Sequence, residues 1–394
     1  MRRVAASTRT GDAAVSQAAP RAGADVTASW RGLVAVVVAS RLVVLLAALV
    51  GENLVARNPL LTGGDPAPIL RSLTSWDGWW YLGIVREGYH AAPLEGAYHD
   101  YAFLPAYPIL VRAMSLPVPG WEGLVAVLLS NVLFVVGIVL LVRLTAPRFG
   151  DAFAYRSAAL LAIFPFAAVF SMAYAESMFL VLMLGAFLAA ERGRAIPAGL
   201  LLGLATLTRL QGVALILPLA WILWEQEGRP RIIRPSWLAL LLGPIAALGA
   251  YGWVMWLTGD ASSYAAAQGA WGRSGLGGDA TGTLGNALMN TAAVAVLFTQ
   301  AVNFVVLIGA VFLLVFVRRD RIPPPYVAVP VVFLGMVFLS GSIQSIGRLL
   351  MPAFPYQWIL AGRRGIGGRY LWPAVSVTLL FVLSTLMFAG WFVP

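Results

Sequence analysis

The sequence predicts an all-α, polytopic membrane protein with about eleven transmembrane helices. Of the 394 residues, 60% are hydrophobic and only 11% are charged, and the mean hydropathy is +0.82. Soluble domains, in contrast, are about 45–50% apolar and about 25% charged. Several apolar stretches approach the roughly 20 residues that a helix needs to cross a bilayer. The 27 basic residues are all arginines, and most lie in short segments between these stretches.

The composition also excludes several kinds of site. The chain has no cysteine, so disulfides, thiolate metal sites and cysteine nucleophiles are excluded. Its two histidines, His90 and His99, are too few for a multi-histidine metal centre, and we expect no metal and no cofactor. The formal charge is +10, but the arginines are dispersed and form no single basic patch with aromatic residues, so we expect no nucleic-acid partner.

The chain begins with a polar segment, residues 1–29, which is rich in Ala, Arg, Ser, Thr and Asp. This composition predicts a disordered cytoplasmic tail, and it is too polar for a signal peptide. Residues 30–394 are predicted to form the membrane domain. Its first apolar stretch is interpreted as an uncleaved first helix.

Eleven apolar stretches follow one another along the membrane domain. Their approximate bounds are 32–50, 122–142, 157–173, 175–190, 196–208, 210–224, 236–257, 291–317, 325–341, 347–361 and 371–391. Hydropathy alone leaves two choices open. Residues 196–224 could form one long helix, and 101–116 could be an additional span.

Arginine placement decides between these layouts, because cytoplasmic loops carry an excess of basic residues. We place the amino terminus in the cytoplasm, keep 101–116 on the external surface and break 196–224 at Arg209. Nineteen arginines then lie on the cytoplasmic side and seven on the external side, with Arg41 inside the first helix. This layout predicts a multi-pass protein of the cell membrane. Its two large external segments are 51–121 and 258–290.

The first external segment contains the sequence SWDGWWYLGIVREGYH, residues 75–90. Trp76, Trp80 and Ile84 recur at helical spacing, which predicts an amphipathic helix on the membrane surface with an aromatic anchor. Asp77 stands at the start of this helix. A carboxylate at that position can cap the helix and interact with its dipole, or it can serve chemistry.

A second surface helix is predicted within residues 99–114, where Pro105 and Pro108 favour a broken entry. His99 and Asp100 are adjacent titratable residues immediately before it. They are either ordinary polar loop residues or part of a site at the membrane surface.

Three further charged residues lie where apolar helices meet on the predicted external side: Glu176, Arg209 and Arg348. Ionisable residues at such depth are costly and usually face a cavity or a partner. Arginine is the side chain best suited to forked contacts with a phosphate, which favours a phosphate carried on a lipid as the substrate. A structural ion pair between Glu176 and one arginine is the alternative. The second external segment adds Gln268, Trp271 and Arg273.

Several short motifs resemble those of one family of membrane enzymes. Trp76-Asp77, followed by Tyr81 and then Gly88-Tyr89, resembles the first-loop signature of the PIG-V type mannosyltransferases, which belong to the GT-C superfamily. Residues 102–108 resemble that family's Ala-Phe-Phe-Pro element, with Leu104 in place of the second Phe. The segments around Glu176, Arg209, Gln268 and Arg348 follow in the family's order, so the resemblance extends over about residues 30–360.

The resemblance implies a GT-C-like fold and an inverting transfer. Mannose would move from a polyprenyl-phosphate-mannose donor to a hydroxyl of a lipid-linked or cell-envelope acceptor on the non-cytoplasmic face. Asp77 matches the acidic residue that acts as the base, and Arg209 and Arg348 would bind the donor phosphate. His99, Asp100 and Glu176 are assigned to supporting or orienting the groups that carry out the acid–base chemistry. Substrate contacts are assigned to Trp76, Tyr81, Gln268, Trp271 and Arg273.

Two other functions are compatible with these features. The enzyme could transfer a different polyprenyl-phosphate-linked sugar, or the protein could transport a lipid or a sugar. The absence of a visible internal repeat and the grouping of polar residues on one side disfavour a transporter. The arginine-only composition favours a bacterial plasma membrane. The acceptor and the oligomeric state stay open.

Overall fold

The computed structural model describes residues 29–58, 67–92, 98–229, 234–270, 291–317, 322–363 and 365–393. Its regular elements in these ranges are helices, in agreement with the predicted all-α class. The α-helices are α1 (Trp30–Asn53), α2 (Pro68–Thr74), α3 (Asp77–Glu87), α4 (Ala106–Ser115), α5 (Glu122–Phe149), α6 (Asp151–Ala162), α7 (Glu176–Ala190), α8 (Ala195–Thr208), α9 (Ile216–Gln226), α10 (Leu242–Thr258), α11 (Ser263–Ala270), α12 (Thr291–Leu314), α13 (Pro324–Ser340), α14 (Ile346–Leu350), α15 (Pro355–Ala361) and α16 (Trp372–Phe388). Short 3₁₀ helices cover Asp100–Ala102, Ala167–Ser171, Leu210–Leu215 and Pro235–Leu241, and a π-helical turn covers Gly367–Leu371.

Among the described residues, five helical segments are long and apolar enough to cross a membrane. They are Trp30–Asn53, Glu122–Phe149, Pro235–Thr258, Ala295–Leu314 and Gly367–Phe388. Four shorter apolar helices accompany them, at Glu176–Ala190, Ala195–Thr208, Leu210–Gln226 and Pro324–Ser340. Exposed apolar side chains such as Leu42 and Val132 suit a lipid-facing surface. The total of about eleven spans stays a prediction.

Ion pairs and hydrogen bonds near the helix ends show which of these ends lie at the same end of the bundle. At one end, Arg209 after α8 contacts Glu176 at the start of α7. At the other end, Arg148 near the end of α5 pairs with Glu191 after α7, and Arg156 of α6 donates to the carbonyl of Arg363 after α15. The ends of α5 and α7, the start of α6 and the residues that follow α15 therefore share the end that lies away from Asp77. The arginine-based layout places all of these segments in the cytoplasm. We call the end that carries Asp77 the Asp77 end.

The predicted helix over 157–173 is wrong beyond Ala162. The chain there turns at Pro165, whose ring removes a backbone donor and clashes with the preceding helical turn. Arg41 of α1 donates to the carbonyls of Ala162 and Ala167 and to the Ser171 hydroxyl, each at 3.0 Å. Since the carbonyls of Ala162 and Ala167 have left the α-helical ladder, the partly buried Arg41 satisfies them inside the bundle.

The predicted helix over 347–361 is likewise two short helices, α14 and α15, separated by residues 351–354. Pro352 and Pro355 have no backbone N–H, so the helical ladder cannot continue through them. Pro355 instead begins α15, a position where the missing donor costs nothing. This break leaves Arg348 on a short helix at the Asp77 end.

The two predicted surface helices are present as α3 and α4, but they differ in environment. The predicted apolar face of α3 is buried against the protein itself, and Trp80 stacks on Phe103 with ring centroids 5.8 Å apart. Helix α4 exposes Ile109 and Met114, the pattern of a helix that rests on an apolar phase. Helix α3 is thus held as part of the bundle, which fixes the position of its first residue.

Candidate active site

Asp77 is the first residue of α3, and the backbone before it is strained. Trp76 has a φ of +56°, in the left-handed region that residues other than glycine rarely adopt. Its indole N–H donates to the carbonyl of Met387 in α16 at 3.0 Å. The N-cap residue, Trp76, forms no side-chain capping hydrogen bond to α3, and no described hydrogen bond joins the Asp77 carboxylate to the backbone of that helix. Asp77 therefore does not cap the helix through a hydrogen bond, although its charge lies where the helix dipole favours a carboxylate.

The Asp77 carboxylate belongs to a cluster of four charged side chains. Arg348 Nη1 lies 2.6 Å from Asp77 Oδ2, and Arg348 Nε lies 3.1 Å from Glu176 Oε1. Arg209 Nη1 contacts the same oxygen of Glu176. The side chains of Arg348 and Glu176 are 5% and 1% exposed, whereas that of Asp77 is 19% exposed. The cluster is thus buried on the Glu176 side and partly open on the Asp77 side.

The cluster balances two carboxylates with two guanidinium groups. Glu176 interacts with both arginines, whereas the alternative considered from the sequence was an ion pair with only one of them. Within the described part of the chain, neither Nε nor Nη1 of Arg348 is aligned for a hydrogen bond, and Glu176 Oε2 has no hydrogen-bond partner. The ion pairs of Arg348 with Asp77 and Glu176 are therefore close in distance but do not have hydrogen-bond geometry. Arg348 therefore retains donor capacity for an anion.

Tyr174 is a site residue that the sequence analysis did not single out. It is fully buried, and its hydroxyl accepts a hydrogen bond from the backbone N–H of Asp77 at 3.2 Å. The guanidinium of Arg348 lies over its ring, 5.3 Å from the centroid. Its place two residues before Glu176, in a segment that carries the family resemblance, was the available signal. Tyr174 thus touches both Asp77 and Arg348.

His99 and Asp100 are not part of this cluster. Asp100 is 2% exposed, and its Oδ2 accepts the backbone N–H of His90 at 3.0 Å and lies 2.9 Å from His90 Nδ1. His99 stacks on Tyr101 instead, with ring centroids 4.5 Å apart. Burial lowers the pKa of the His99 imidazole, and the Asp100 carboxylate opposes that shift. Asp100 and His90 thus join two parts of the first loop.

The predicted substrate-contacting residues occupy different surroundings. Tyr81 is buried between the rings of Phe103 and Tyr107, with centroids 5.2 and 5.0 Å away. Gln268 of α11 donates to the carbonyl of Ala102 at 3.4 Å, which brings the second predicted external segment onto the first. Trp271 and Arg273 lie outside the described residues.

A small cleft opens beside Arg348. Pro165, Phe166, Leu383, Met387 and Phe392 contribute apolar groups to its walls, and Ser384 contributes a hydroxyl. This hydroxyl has no hydrogen-bond partner among the described residues. Arg348 therefore borders this small cleft as well as the charged cluster. In the same described residues, no three histidine, aspartate or glutamate side chains are grouped as a metal site would require.

The matched region of the sequence contains most of this cluster. Residues 57–225 match the sequence model of the mannosyltransferase (PIG-V) family. The predicted family resemblance is confirmed over this region. It includes Asp77, Tyr174, Glu176 and Arg209, whereas Arg348 lies beyond it. The match supports a membrane glycosyltransferase.

A solved structure is also similar to this chain: the archaeal oligosaccharyltransferase AglB from Archaeoglobus fulgidus, in complex with an inhibitory peptide and a dolichol-phosphate. The two share 14% sequence identity with a TM-score of 0.43, over 92% of this chain. This chain spans only 56% of the length of that one. A comparison with curated proteins gave no match.

Proposed function

We propose that this protein transfers a mannosyl group from a polyprenyl-phosphate-mannose donor to a hydroxyl of a lipid-linked or cell-envelope acceptor, on the non-cytoplasmic face of the membrane. The observation that carries the proposal is the contact of a partly open carboxylate, Asp77, with a buried guanidinium, Arg348. Transfer needs a base for the acceptor hydroxyl and positive charge for the leaving phosphate, at neighbouring positions. The family match over residues 57–225 supports the class of reaction.

In the proposed step, Asp77 takes the proton of the acceptor hydroxyl as that oxygen attacks the anomeric carbon. The bond from this carbon to the phosphate oxygen breaks, and its electron pair leaves with the polyprenyl phosphate. Attack from the side opposite the phosphate inverts the anomeric centre. Arg348 and Arg209 stabilise the charge that the phosphate gains, because a buried guanidinium interacts strongly with an anion.

The lipid part of the donor suits the position of the cluster. The five long apolar helices among the described residues indicate a membrane protein, so a donor with a polyprenyl tail can reach the site while its tail stays in the bilayer. A soluble nucleotide sugar would gain nothing from such surroundings.

Purified protein in liposomes with labelled polyprenyl-phosphate-mannose and a membrane extract as acceptor source tests the function. We expect label in a new covalent product, with inverted anomeric configuration by NMR, and no product with Asp77→Asn. Donors that carry arabinose or another sugar are offered in parallel. Movement of lipid or sugar between leaflets without a covalent product would instead identify a transporter.

A further inference from the structure

We propose that Arg348 is exchanged between Asp77 and the donor phosphate, so that binding of the donor releases the base. This inference rests on the proposed function and adds a built-in order of substrate binding. In the structure, Arg348 Nη1 lies 2.6 Å from Asp77 Oδ2. A donor phosphate that engages Arg348 takes over this contact. The released carboxylate oxygen then faces the acceptor.

The geometry makes Arg348 the group that can change partners. Its two nitrogens nearest the carboxylates are close to them but are not aligned for hydrogen bonds in the described part of the chain. A phosphate oxygen offers the aligned, charge-assisted contacts that the carboxylates do not provide. Asp77 is the more exposed partner, at 19% against 1% for Glu176. Asp77 is therefore the partner that water and substrate can most easily replace.

Glu176 is the fixed partner in this arrangement. Its Oε1 contacts both Arg209 and Arg348 and is buried at the start of α7. Both guanidinium groups therefore keep one anionic contact when Asp77 is released. Without Glu176, the guanidinium groups of Arg209 and Arg348 would lose the anion that lies between them and would repel each other. Glu176 acts as a positioning residue, because it holds the two cations at the distance that one phosphate can bridge.

The charges of the reaction support the exchange. Before transfer, the donor is a phosphodiester with one negative charge, and Asp77 carries another. After transfer, Asp77 has accepted the acceptor's proton and is neutral, while the polyprenyl phosphate monoester carries about two negative charges. The total charge of the site is unchanged. Negative charge has moved from one neighbour of Arg348 to the other, so the guanidinium is the shared counter-ion of the base and the leaving group.

The exchange predicts that removing the Asp77 charge strengthens phosphate binding while abolishing transfer. The experiment measures binding of unglycosylated polyprenyl phosphate to purified full-length protein in nanodiscs of neutral lipid. We expect Asp77→Asn to bind about tenfold more tightly than the wild type, the size expected when one competing charged contact is removed. Asp77→Ser is measured as well, in case the first variant folds poorly. Asp260→Asn, an exposed carboxylate outside the cluster, should bind like the wild type.

A double-mutant cycle separates exchange from general electrostatics. In an Arg348→Gln background, Asp77→Asn should change binding by less than about twofold, because the competing contact no longer exists. Glu176→Gln should not bind more tightly than the wild type, since it loses the fixed partner. Equal tightening by Glu176→Gln, or unchanged or weaker binding by Asp77→Asn and Asp77→Ser, would overturn the exchange and leave the proposed function standing. No binding of polyprenyl phosphate by any form would overturn both.

Discussion

Arg209 and Arg348, which are 139 positions apart in the sequence, contact the same oxygen atom of Glu176. Asp77 extends the group through its contact with Arg348. Four ionisable side chains from four separate segments thus form one cluster inside an otherwise apolar bundle. Because such groups are costly to bury unless they interact, replacing a member of the cluster should have a measurable effect.

Asp77→Asn should separate catalysis from structure. Asparagine has nearly the same shape, and the Asp77 carboxylate forms no capping hydrogen bond to α3 in the described structure, so we expect near-normal expression. Transfer should fall by about 10²–10⁴-fold, the usual effect of removing a general base. The measurement is turnover of labelled donor, compared with Asp260→Asn as a control for loss of a surface carboxylate. Turnover above about a tenth of wild type would exclude Asp77 as the base.

The two arginines should respond differently to lysine. Arg348 contacts two carboxylates and Arg209 one, and lysine cannot reproduce a forked contact. We expect Arg348→Lys to raise the donor KM more than Arg209→Lys does. At each position, the alanine variant should raise the donor KM more than the lysine variant. Removing one member of a buried ion pair also costs about 3–5 kcal/mol of stability. Thermal unfolding in detergent must therefore accompany the kinetics. Equal KM values for all four variants and the wild type would remove both arginines from the donor site.

Asp100→Asn should be much milder than Asp77→Asn. Asp100 Oδ2 contacts the backbone N–H and the ring of His90, and no such contact joins it to Arg348 or Glu176. We expect transfer to fall less than about tenfold, through loosening of the first loop. His90→Ala should give a similar effect, because it breaks the same contact from the other side. If Asp100→Asn were as inactive as Asp77→Asn, Asp100 would have to act directly in the reaction.

Arg41→Leu should destabilise the protein from within the membrane. The variant leaves two backbone carbonyls and the Ser171 hydroxyl without their donor, at about 1–3 kcal/mol for each buried group that stays unpaired. We expect a lower Tm in detergent, with partial recovery in Arg41→Lys. Arg112→Gln, which alters an exposed arginine of α4, is the matched control. An unchanged Tm for Arg41→Leu would show that water satisfies these carbonyls.

The orientation in the membrane can be tested with single cysteines, since the native chain contains none. Ser262 and Asp151 are both exposed, the first in the segment preceding α11 and the second at the end away from Asp77. We expect an impermeant maleimide to label Ser262→Cys in intact cells and Asp151→Cys only after permeabilisation. The reverse pattern would place the Asp77 end in the cytoplasm.

The sequence predicted much of the helical framework, because hydropathy and arginine placement are local signals. Helix α7, for example, was expected over 175–190 and covers Glu176–Ala190. The breaks after Ala162 and Leu350 were missed, although Pro165 and Pro352 stand close by. A proline alone does not show whether a helix kinks or ends. The contacts of Arg41, which satisfy the freed carbonyls, come from a distant helix that the local pattern does not reveal.

The site was predicted only in part, for a similar reason. The arginine-based layout put four charged residues on one predicted side of the membrane, and the structure brings these four into contact: Asp77, Glu176, Arg209 and Arg348. The same criterion could not separate Asp77 from Asp100, which are both acidic residues of the first loop. Their difference lies in the contacts of each side chain, with Arg348 in one case and His90 in the other. Tyr174 was missed because a buried tyrosine next to an apolar helix looks like ordinary packing.

The packing of α1 and the first loop against α16 has a practical consequence. Helix α1 packs against α16, the backbone N–H of Asn58 donates to the carbonyl of Ala389 at 2.9 Å, and Trp76 is held by Met387. The loop that carries Asp77 therefore gains this support only after the chain has been synthesised as far as Met387 and Ala389. Reporter fusions to fragments that end before α16 would lack the contacts that hold the loop carrying Asp77. Orientation mapping and complementation assays on this chain accordingly require polypeptides that include α16.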